Sequence, residues 1–503
     1  MSELTELPNG WTYSTISEIT LPFVTVNPKS CPDKKFIYVD IGSIDNTSQT
    51  IKLPKTFLGI DAPSRARRLV KEGDILFSTV RTYLKNIARV PNELDGVLTS
   101  TGIAVLRAAQ GINENYLFYV VSSDEFIRSM SSAMDGTLYP AVTDKDVSTA
   151  IIPLPPLNEQ RRIVITIEQL TAQSNKARTA LEDVPKLIEQ FRQSVLAAAF
   201  RGDLTTDWRE KNPDIEPASE LLERIKVDQL RQAKSPKQVE KINEIYSYQE
   251  SEDIDALPAH WQYISLEKLA NSLDYGTSAK SSSSGNVVVL RMGNLQGGEI
   301  DWGDLAYTSD TDEIIKYNLQ PNTVLFNRTN SPELVGKTSI YRGNSPAIFA
   351  GYLIRIRNIE ELDPEYLNYC LSSDYARGYC WKVKTDGVSQ SNINAQKLGK
   401  FEIPFCSLKE QREIIGQIKR SFKTIKEIEN LYQENYSDLE RLDRSILAKA
   451  FRGELVPQDP NDETAAVLLD RIRAEREQTS ILKQHGKTTR KNSSKQLSID
   501  GWE

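Results

Sequence analysis

Histidine is almost missing from this chain: His260 and His485 are the only two among 503 residues. That scarcity excludes a histidine-built zinc site, and a Ser-His or Cys-His nucleophile would have to use one of these two. Cysteine is scarce as well. Cys31, Cys370, Cys380 and Cys406 show neither metal-ligand nor disulfide-framework spacing, and reduced thiols in a cytoplasmic protein are expected. No apolar run approaches the roughly eighteen residues a membrane span requires, so no membrane association is expected. The start, Met1-Ser2-Glu3-Leu4, lacks the basic stretch and apolar run of a signal peptide. Phosphate-binding signatures are absent too: there is no Gly-x-x-x-x-Gly-Lys-Ser/Thr loop and no Gly-x-Gly-x-x-Gly fingerprint. Asn27-Pro28-Lys29 and Asn212-Pro213-Asp214 depart from the Asn-Pro-Pro-aromatic signature of amino-methyltransferases, and Pro32-Asp33 with later acids is too loose to mark a nuclease. The residues therefore offer no catalytic constellation.

What is present is enough to fold. Hydrophobic residues make up 39% and charged residues 26%, which supports packed cores, and the length predicts two or three domains. The net charge of −7 excludes a uniformly basic coat but not a local basic face.

The strongest pattern is that the chain is written twice. Leu7-Pro8-x-x-Trp11-x-Tyr13 returns as Leu257-Pro258-x-x-Trp261-x-Tyr263, and Leu157-Asn158-Glu159-Gln160-Arg161 returns as Leu408-Lys409-Glu410-Gln411-Arg412. Ala199-Phe200-Arg201-Gly202-Asp203-Leu204 returns as Ala450-Phe451-Arg452-Gly453-Glu454-Leu455, so the offset is 250 to 251. A period this long is a whole domain plus a helix rather than a solenoid repeat. The segments between these anchors diverge, as expected of one scaffold carrying two specificities.

Each copy ends in a heptad stripe. In the first it includes Ile163, Ile167, Leu170, Leu181, Ile188 and Phe191, and ten of its eleven positions from 163 to 198 are apolar. Adding 251 gives Ile414, Ile418, Ile425, Ile428, Leu439 and Leu442 on a stripe with eight of eleven apolar. Two stripes in one register predict an antiparallel coiled coil with a pseudo-two-fold repeat. Phe200-Arg201 and Phe451-Arg452 close the helices ahead of the stop glycines Gly202 and Gly453. Ser407-x-x-Glu410 predicts a capping box for the second helix, Asn158 is the candidate cap of the first, and Pro185 is expected to kink or restart it.

The overall expectation is a mixed α/β (α+β) fold. Its globular domains span 1–152 and 257–403, with long helices at 153–204 and 404–455. A charged helical linker follows at 205–256, a short helical segment at 456–478, and a basic, unstructured tail at 479–503. Ile75-Leu76-Phe77, Val324-Leu325-Phe326 and Val287–Leu290 read as strands, and Tyr116–Ser122 and Tyr366–Ser372 as helices.

Cations concentrate inside both globular copies. Lys55 to Arg89 holds eight cations against three acids, a net of +5, including Arg65, Arg67, Arg68, Arg81 and Lys85. Lys316 to Arg357 holds six against one, again +5, including Arg328 and Lys337. Such segments suit phosphate contact. Beside them lie residue types that bond base edges and phosphates. The candidates are Ser78, Thr79, Arg81, Tyr83 and Lys85 in copy one, and Asn327, Arg328, Thr329, Asn330 and Ser331 in copy two. Two further polar loops contribute Thr137 and Tyr139, and Ser389, Gln390 and Asn392. The alternative reading is of solvated faces and polar turns.

Two Leu-Pro-x-x-Trp domains, each followed by a Glu-Gln-Arg helix ending in Ala-Phe-Arg-Gly-(Asp/Glu)-Leu, resemble the specificity subunit of Type I restriction–modification systems. Ser445-Ile446-Leu447-Ala448-Lys449-Ala450-Phe451-Arg452-Gly453-Glu454-Leu455 is the most characteristic stretch, and the resemblance covers nearly the whole chain. Copy two departs in having Pro404-Phe405-Cys406-Ser407 where copy one has Pro153-Leu154-Pro155-Pro156. The resemblance implies a noncatalytic subunit whose domains each read one half of an interrupted, asymmetric target in double-stranded DNA. It implies that the helices set the spacer and dock two adenine-N6 methyltransferase (modification) subunits, with restriction/translocase subunits joining through them. No cofactor is expected on this chain; S-adenosylmethionine would belong to the modification subunit, ATP and Mg2+ to the restriction subunit. Three alternatives stay open: a specificity-like subunit of another defence or orphan methylation assembly, a methyltransferase carrying its own recognition domains, and a structural coiled-coil scaffold.

Overall fold

A computed structural model describes residues 6–132, 141–250 and 256–490. The chain divides into two compact units, one formed by residues 1–182 with 434–503 and the other by 183–433.

In the first unit, Thr12–Thr15 pairs antiparallel with Ile151–Leu154, so the start of the domain lies beside the strand that leads into the long helix. A four-stranded antiparallel sheet follows the order Ile87–Arg89, Ile75–Ser78, Ile103–Ala108, Thr20–Leu21. A five-stranded mixed sheet runs Val24–Thr25, Ala66–Leu69, Leu98–Ser100, Lys35–Val39, Lys55–Leu58. Ile75, Leu76 and Phe77 are wholly buried, as a continuous apolar run in a central strand should be. Helix Glu114–Ser122 turns Tyr116 inward, where its hydroxyl donates to the Pro153 carbonyl at 2.8 Å.

The second unit repeats this scheme with different strands. Its six-stranded sheet centres on Thr323–Asn327 and Thr338–Tyr341, with Leu353–Asn358 on the other side of Thr323–Asn327, and Val287–Leu290 forms a separate three-stranded sheet with Ala306–Thr308 and Ala347–Phe349. Gln262–Ser265 pairs with Glu402–Phe405, and Tyr366 donates to the Pro404 carbonyl.

Each core is completed by the helix end from the other half of the sequence. Phe451, near the C-terminus, lies edge-on to Tyr116 at 5.7 Å between ring centres, and Ile446 and Ala450 join the same core. Phe200, which ends the helix after the first domain, lies edge-on to Tyr366 of the second at 5.2 Å. Burying such a ring contributes about 1.5–3 kcal/mol. The glycines that follow take positive φ, +82° at Gly202 and +73° at Gly453, and a Cβ there would meet Pro258 and Pro8 respectively. Thus the Leu-Pro anchor of each repeat is the seat for the other repeat's helix stop, and glycine is required there for space as well as for turn geometry.

The long helices differ from the expectation in three respects. The first breaks at Asp183 into Leu157–Glu182 and Val184–Arg201, with Pro185 in the first turn of the restart, whereas Leu408–Phe451 is one continuous helix of 44 residues. Asn158 does not cap; it lies inside the helix and donates to Asp462. Ser407 accepts from the Glu410 amide at 3.4 Å, but the Glu410 carboxylate turns into the core instead of completing the box. The stripe is also incompletely covered: Ile163, Ile167, Ile414, Ile418 and Ile425 are buried and Leu170, Leu181, Ile188 and Leu439 half-buried, while Phe191, Ile428 and Leu442 are exposed. Away from the globular cores a helix pair covers only part of each stripe, and a straight helix drifts about 20° per heptad from the ideal repeat.

Within each unit the helices run antiparallel. Arg162 binds Asp462 and Arg178 binds Asp443 in the first; Arg192 binds Glu429 and Thr205 binds Glu410 in the second. Helix Ala218–Gln232 buries Ala218, Leu221 and Ile225 in the second core, so the linker is part of the fold. Leu468, Leu469 and Ile472 do the same in the first unit on helix Ala465–Arg490. That helix carries the basic segment, expected to be unstructured, as far as Arg490; between Ala465 and Arg490 there is no proline to stop it. Residues 491–503 lie outside the described residues.

The paired anchors Glu159 and Glu410 are both buried, yet their surroundings differ. Burial pushes the Glu159 carboxyl above its usual range, opposed by the Trp11 indole, Gln458 and Arg162. A raised folded-state value means stability is greatest below the unfolded carboxylate range and declines as pH rises through the folded value. Glu159→Gln should therefore be more stable than the parent near pH 8 and converge with it near pH 4 in thermal melts; a pH-independent gap would refute this.

Candidate nucleic-acid interface

In copy two, strand Thr323–Asn327 ends on a buried asparagine whose Oδ1 accepts from the Thr329 amide. The chain then forms a small sheet: Thr329 faces Asn392, Asn330 faces Ser391, and Ser391 and Asn392 pair back to Asp386 and Thr385. Asn392 donates to the Thr329 hydroxyl at 2.7 Å. Asn330 and Asn392, far apart in sequence, thus stand on adjoining strands, with exposed Ser389 and Gln390 in the hairpin turn. Val388 at its tip is completely exposed. Ser331 donates its amide to the Asn330 side chain. Arg328 lies over the Tyr275 ring at 4.6 Å and donates to the Gly351 carbonyl, which holds the guanidinium flat. Lys337 donates to Gln296.

Three aromatic residues border this cluster and were not singled out from sequence: Tyr275, Tyr352 and Trp381, at 43%, 49% and 59% exposure. Lys384 sits 4.4 Å from the Trp381 ring, but its ammonium is nearly buried and paired with Asp386, so the accessible cation beside these rings is Arg328. Exposed aromatics beside cations are suited to stacking and phosphate contact. Tyr275 is distant from Arg328 in sequence, and only the pairing of Ala270–Tyr275 with Leu353–Asn358 brings it near.

Copy one builds the same corner. Strand Ile75–Ser78 ends at the position matching Asn327, Val80 bridges Ala141, and the Val142 amide donates to the Thr79 carbonyl just as the Ile393 amide donates to that of Arg328. Arg81 is exposed and left-handed, φ +49°, opening a short turn Thr82–Leu84 that ends at Lys85, also left-handed. Non-glycine residues adopt this conformation at a cost, and Gln49, Leu53 and Asn322 share it. Tyr83 is exposed in the turn. Thr137 and Tyr139 fall outside the described residues.

Several of the expected contact residues are engaged in the interior instead. Arg68 is buried, grips Asp144 through both guanidinium nitrogens, donates to the Ile103 carbonyl and covers Phe23. Ser78 and Thr79 are buried and hydrogen-bonded to the carbonyls of Val80 and Gly102. Arg67 is tied to Asn27 and Ser64. Seven of the fourteen cations in the two +5 segments are paired with acids from other strands and helices: Lys55 with Asp40, Arg68 with Asp144, Lys85 with Asp124, Arg89 with Glu114, Arg342 with Glu299 and Glu365, and Arg355 and Arg357 with Asp274. Among the described residues, the other seven cations of these segments, Arg65, Arg67, Lys71, Arg81, Lys316, Arg328 and Lys337, make no ion pair; Arg67 bonds Asn27 and Lys316 lies over Tyr317. Local charge in sequence overstated the basic face because its counter-ions lie far along the chain.

Among the described residues no cluster of three or more His, Cys, Asp or Glu could hold a metal, and no helix is long and apolar enough to cross a membrane. Burial pushes the Cys380 thiol up to about 12 and raises Cys370 and Cys406 as well, so these thiols stay protonated.

Comparison with known proteins agrees with the repeat. Residues 29–183 and 258–434 each match the Type I restriction modification DNA specificity domain. The Type I restriction enzyme EcoKI specificity subunit of Escherichia coli (strain K12) is 26% identical over 385 residues, covering 74% of both chains. The StySPI specificity subunit of Salmonella potsdam is 25% identical over 494 residues, covering 94% of this chain and 96% of that one. Among solved structures, a chain from a study of complex assembly and conformational transition of the type I R-M system superposes with a TM-score of 0.69. It has 28% identity and covers 90% of this chain and 100% of that one. The HsdS subunit from Thermoanaerobacter tengcongensis gives 0.59, with 29% identity and coverage of 90% and 99%.

Proposed function

The chain belongs to the family of Type I restriction–modification DNA specificity proteins, and from that premise we propose how its parts divide the work. As a specificity subunit it is noncatalytic and supplies DNA sequence recognition. Each globular domain reads one half of a bipartite, asymmetric target. The reading elements are the corner around Arg81 and Tyr83 in the first domain, and the corner formed by Arg328, Thr329, Asn330, Ser389, Gln390 and Asn392 in the second. The helices set the spacer between half-sites and dock two modification subunits, and restriction subunits join through these. S-adenosylmethionine, ATP and Mg2+ act on those partners, and the target adenine leaves the duplex to reach the modification subunit.

The observation that carries this reading is the joined pair of strands in copy two. It presents two asparagines on one small sheet beside an arginine held over tyrosine. Asn bonds adenine and Arg bonds guanine bidentately in the major groove, each good pair discriminating by about 1–3 kcal/mol. Arg328→Ala and Asn330→Ala, tested in the assembled methyltransferase complex, should each weaken binding about tenfold or more at one half-site and relax base preference only there. Equal loss on every DNA sequence, or unchanged preference, contradicts the assignment.

A further inference from the structure

The two helical regions carry opposite charges at equivalent positions. With the repeat offset of 251, Arg178 corresponds to Glu429 and Arg192 to Asp443. The ion pairs join across this correspondence: Arg178 binds Asp443 at 2.9 Å in the first unit and Arg192 binds Glu429 at 2.9 Å in the second. Both pairs are partly buried, with side-chain exposures between 26% and 31%. Each arginine also lies beside a ring of the partner helix, Arg178 5.9 Å from Tyr436 and Arg192 5.3 Å from Phe422. A third pair has the same sign pattern. Arg162 binds Asp462 at 2.8 Å, and the corresponding residues are Glu413 and Lys211. Glu413 itself binds Arg420, so at that place only the inverted signs are shared.

The apolar stripe cannot tell the two helical regions apart, because both carry it in the same register. By itself it fits first with second, first with first, and second with second. Charge removes that degeneracy. Two copies of the first region would set Arg178 against Arg192 twice; two copies of the second would set Glu429 against Asp443 twice. Glu189, near Arg192, and Glu440, near Arg178 and Arg444, occupy one repeat position and are acidic in both copies, so they do not discriminate.

We propose that this inversion is a partner code: the first helical region accepts the second, which sets Asp443 and Glu429 against Arg178 and Arg192, and rejects the same region of another copy of the chain. Repulsion against the wrong partner supplies the selectivity that hydrophobic complementarity lacks. If the chain reads DNA as proposed above, the code keeps two different reading domains in one assembly and prevents two identical ones from sharing it.

The test uses the full chain, cut after folding at a protease site placed in the exposed turn at Asn212–Asp214. Two preparations with different tags on the first fragment are mixed, unfolded in urea and refolded together. Capture of one tag then measures recovery of the other. In the parent, first fragments should recover second fragments but almost no other first fragments. In Arg178→Glu/Asp443→Arg every pairing becomes complementary, since the acid placed at position 178 suits Arg192 of another copy and the cation placed at position 443 suits Glu429. First-with-first recovery should rise at least about fivefold, on the scale of a coupling of about 1 kcal/mol between close charges. Adding Arg192→Glu and Glu429→Arg restores exclusive first-with-second pairing with reversed signs, and recovery should fall back to the parent level. Equal first-with-first recovery in the parent and the double variant, or no fall in the fourfold variant, overturns the proposal. Thermal melts of the intact chain give a second criterion. Arg178→Glu should lower the midpoint and Asp443→Arg should restore it; independent effects of the two changes also overturn the code.

Discussion

Glu410→Ala should cost about 3–5 kcal/mol, the scale for breaking a buried ion pair by removing one partner. Glu410 is wholly buried, and its two oxygens accept from Arg209 at 2.9 Å, Thr205 at 2.8 Å, Trp261 Nε1 at 2.9 Å and His260 Nε2 at 3.1 Å. The residues it gathers come from the helix stop of the first repeat and the Leu-Pro-x-x-Trp anchor of the second. Alanine leaves a mostly buried guanidinium, an indole N–H and a hydroxyl unpaired around a void. The equivalent Glu159 accepts a side-chain hydrogen bond from Gln458 at 3.2 Å, and burial works against its charge. Glu159→Ala should therefore cost about 1 kcal/mol. Urea unfolding of the two variants, followed by tryptophan fluorescence, should rank Glu410→Ala far below Glu159→Ala. Equal losses would mean that the shared Glu-Gln motif, not the surrounding pairs, sets the energetics.

Lengthening the helix pair by one heptad should change the target outright. One heptad inserted after Ala177 and another after Asp443 preserve the Arg178–Asp443 pair and keep the apolar stripe on its face, because two helical turns return each helix nearly to its starting angle. The added rise is about 10 Å, which at about 3.4 Å per base pair is roughly three base pairs. The variant complex should methylate the same two half-sites separated by about three more base pairs and abandon the original spacing. Two helices are lengthened because they run antiparallel: an insertion in one alone would shift Ile163 and Ile167 out of the core that also holds Ile446 and Phe451. An unchanged spacer would contradict the assignment of spacing to these helices.

Much of the fold was legible because the repeat, the apolar stripe and the glycine stops are local patterns with one physical meaning each. Gly202 and Gly453 end helices as their sequence context predicts. The Leu-Pro anchors repeat just as visibly, but nothing local shows that each receives the helix stop of the other repeat. The candidate interface was legible only in part. Arg68, Ser78 and Thr79 have the right chemistry for DNA but face inward, since a strand residue's side is fixed by register and Ile75–Ser78 is buried on both faces. Half of the cations in the basic segments are engaged by acids such as Asp40, Asp124, Glu114 and Asp274, which tertiary pairing brings in. Conversely, Tyr275, Tyr352 and Trp381 carry no motif. Their exposure beside Arg328 and around the small sheet is displayed only by the folded chain.

The most direct test of the central claim is a genome-wide map of N6-methyladenine in the native host, with and without this gene. Loss of methylation at one bipartite, asymmetric motif on deletion, and its return with the intact gene, is the result expected of a chain that supplies both half-site readings. Unchanged methylation at every motif, in cells that make the chain and its modification subunit, would contradict it.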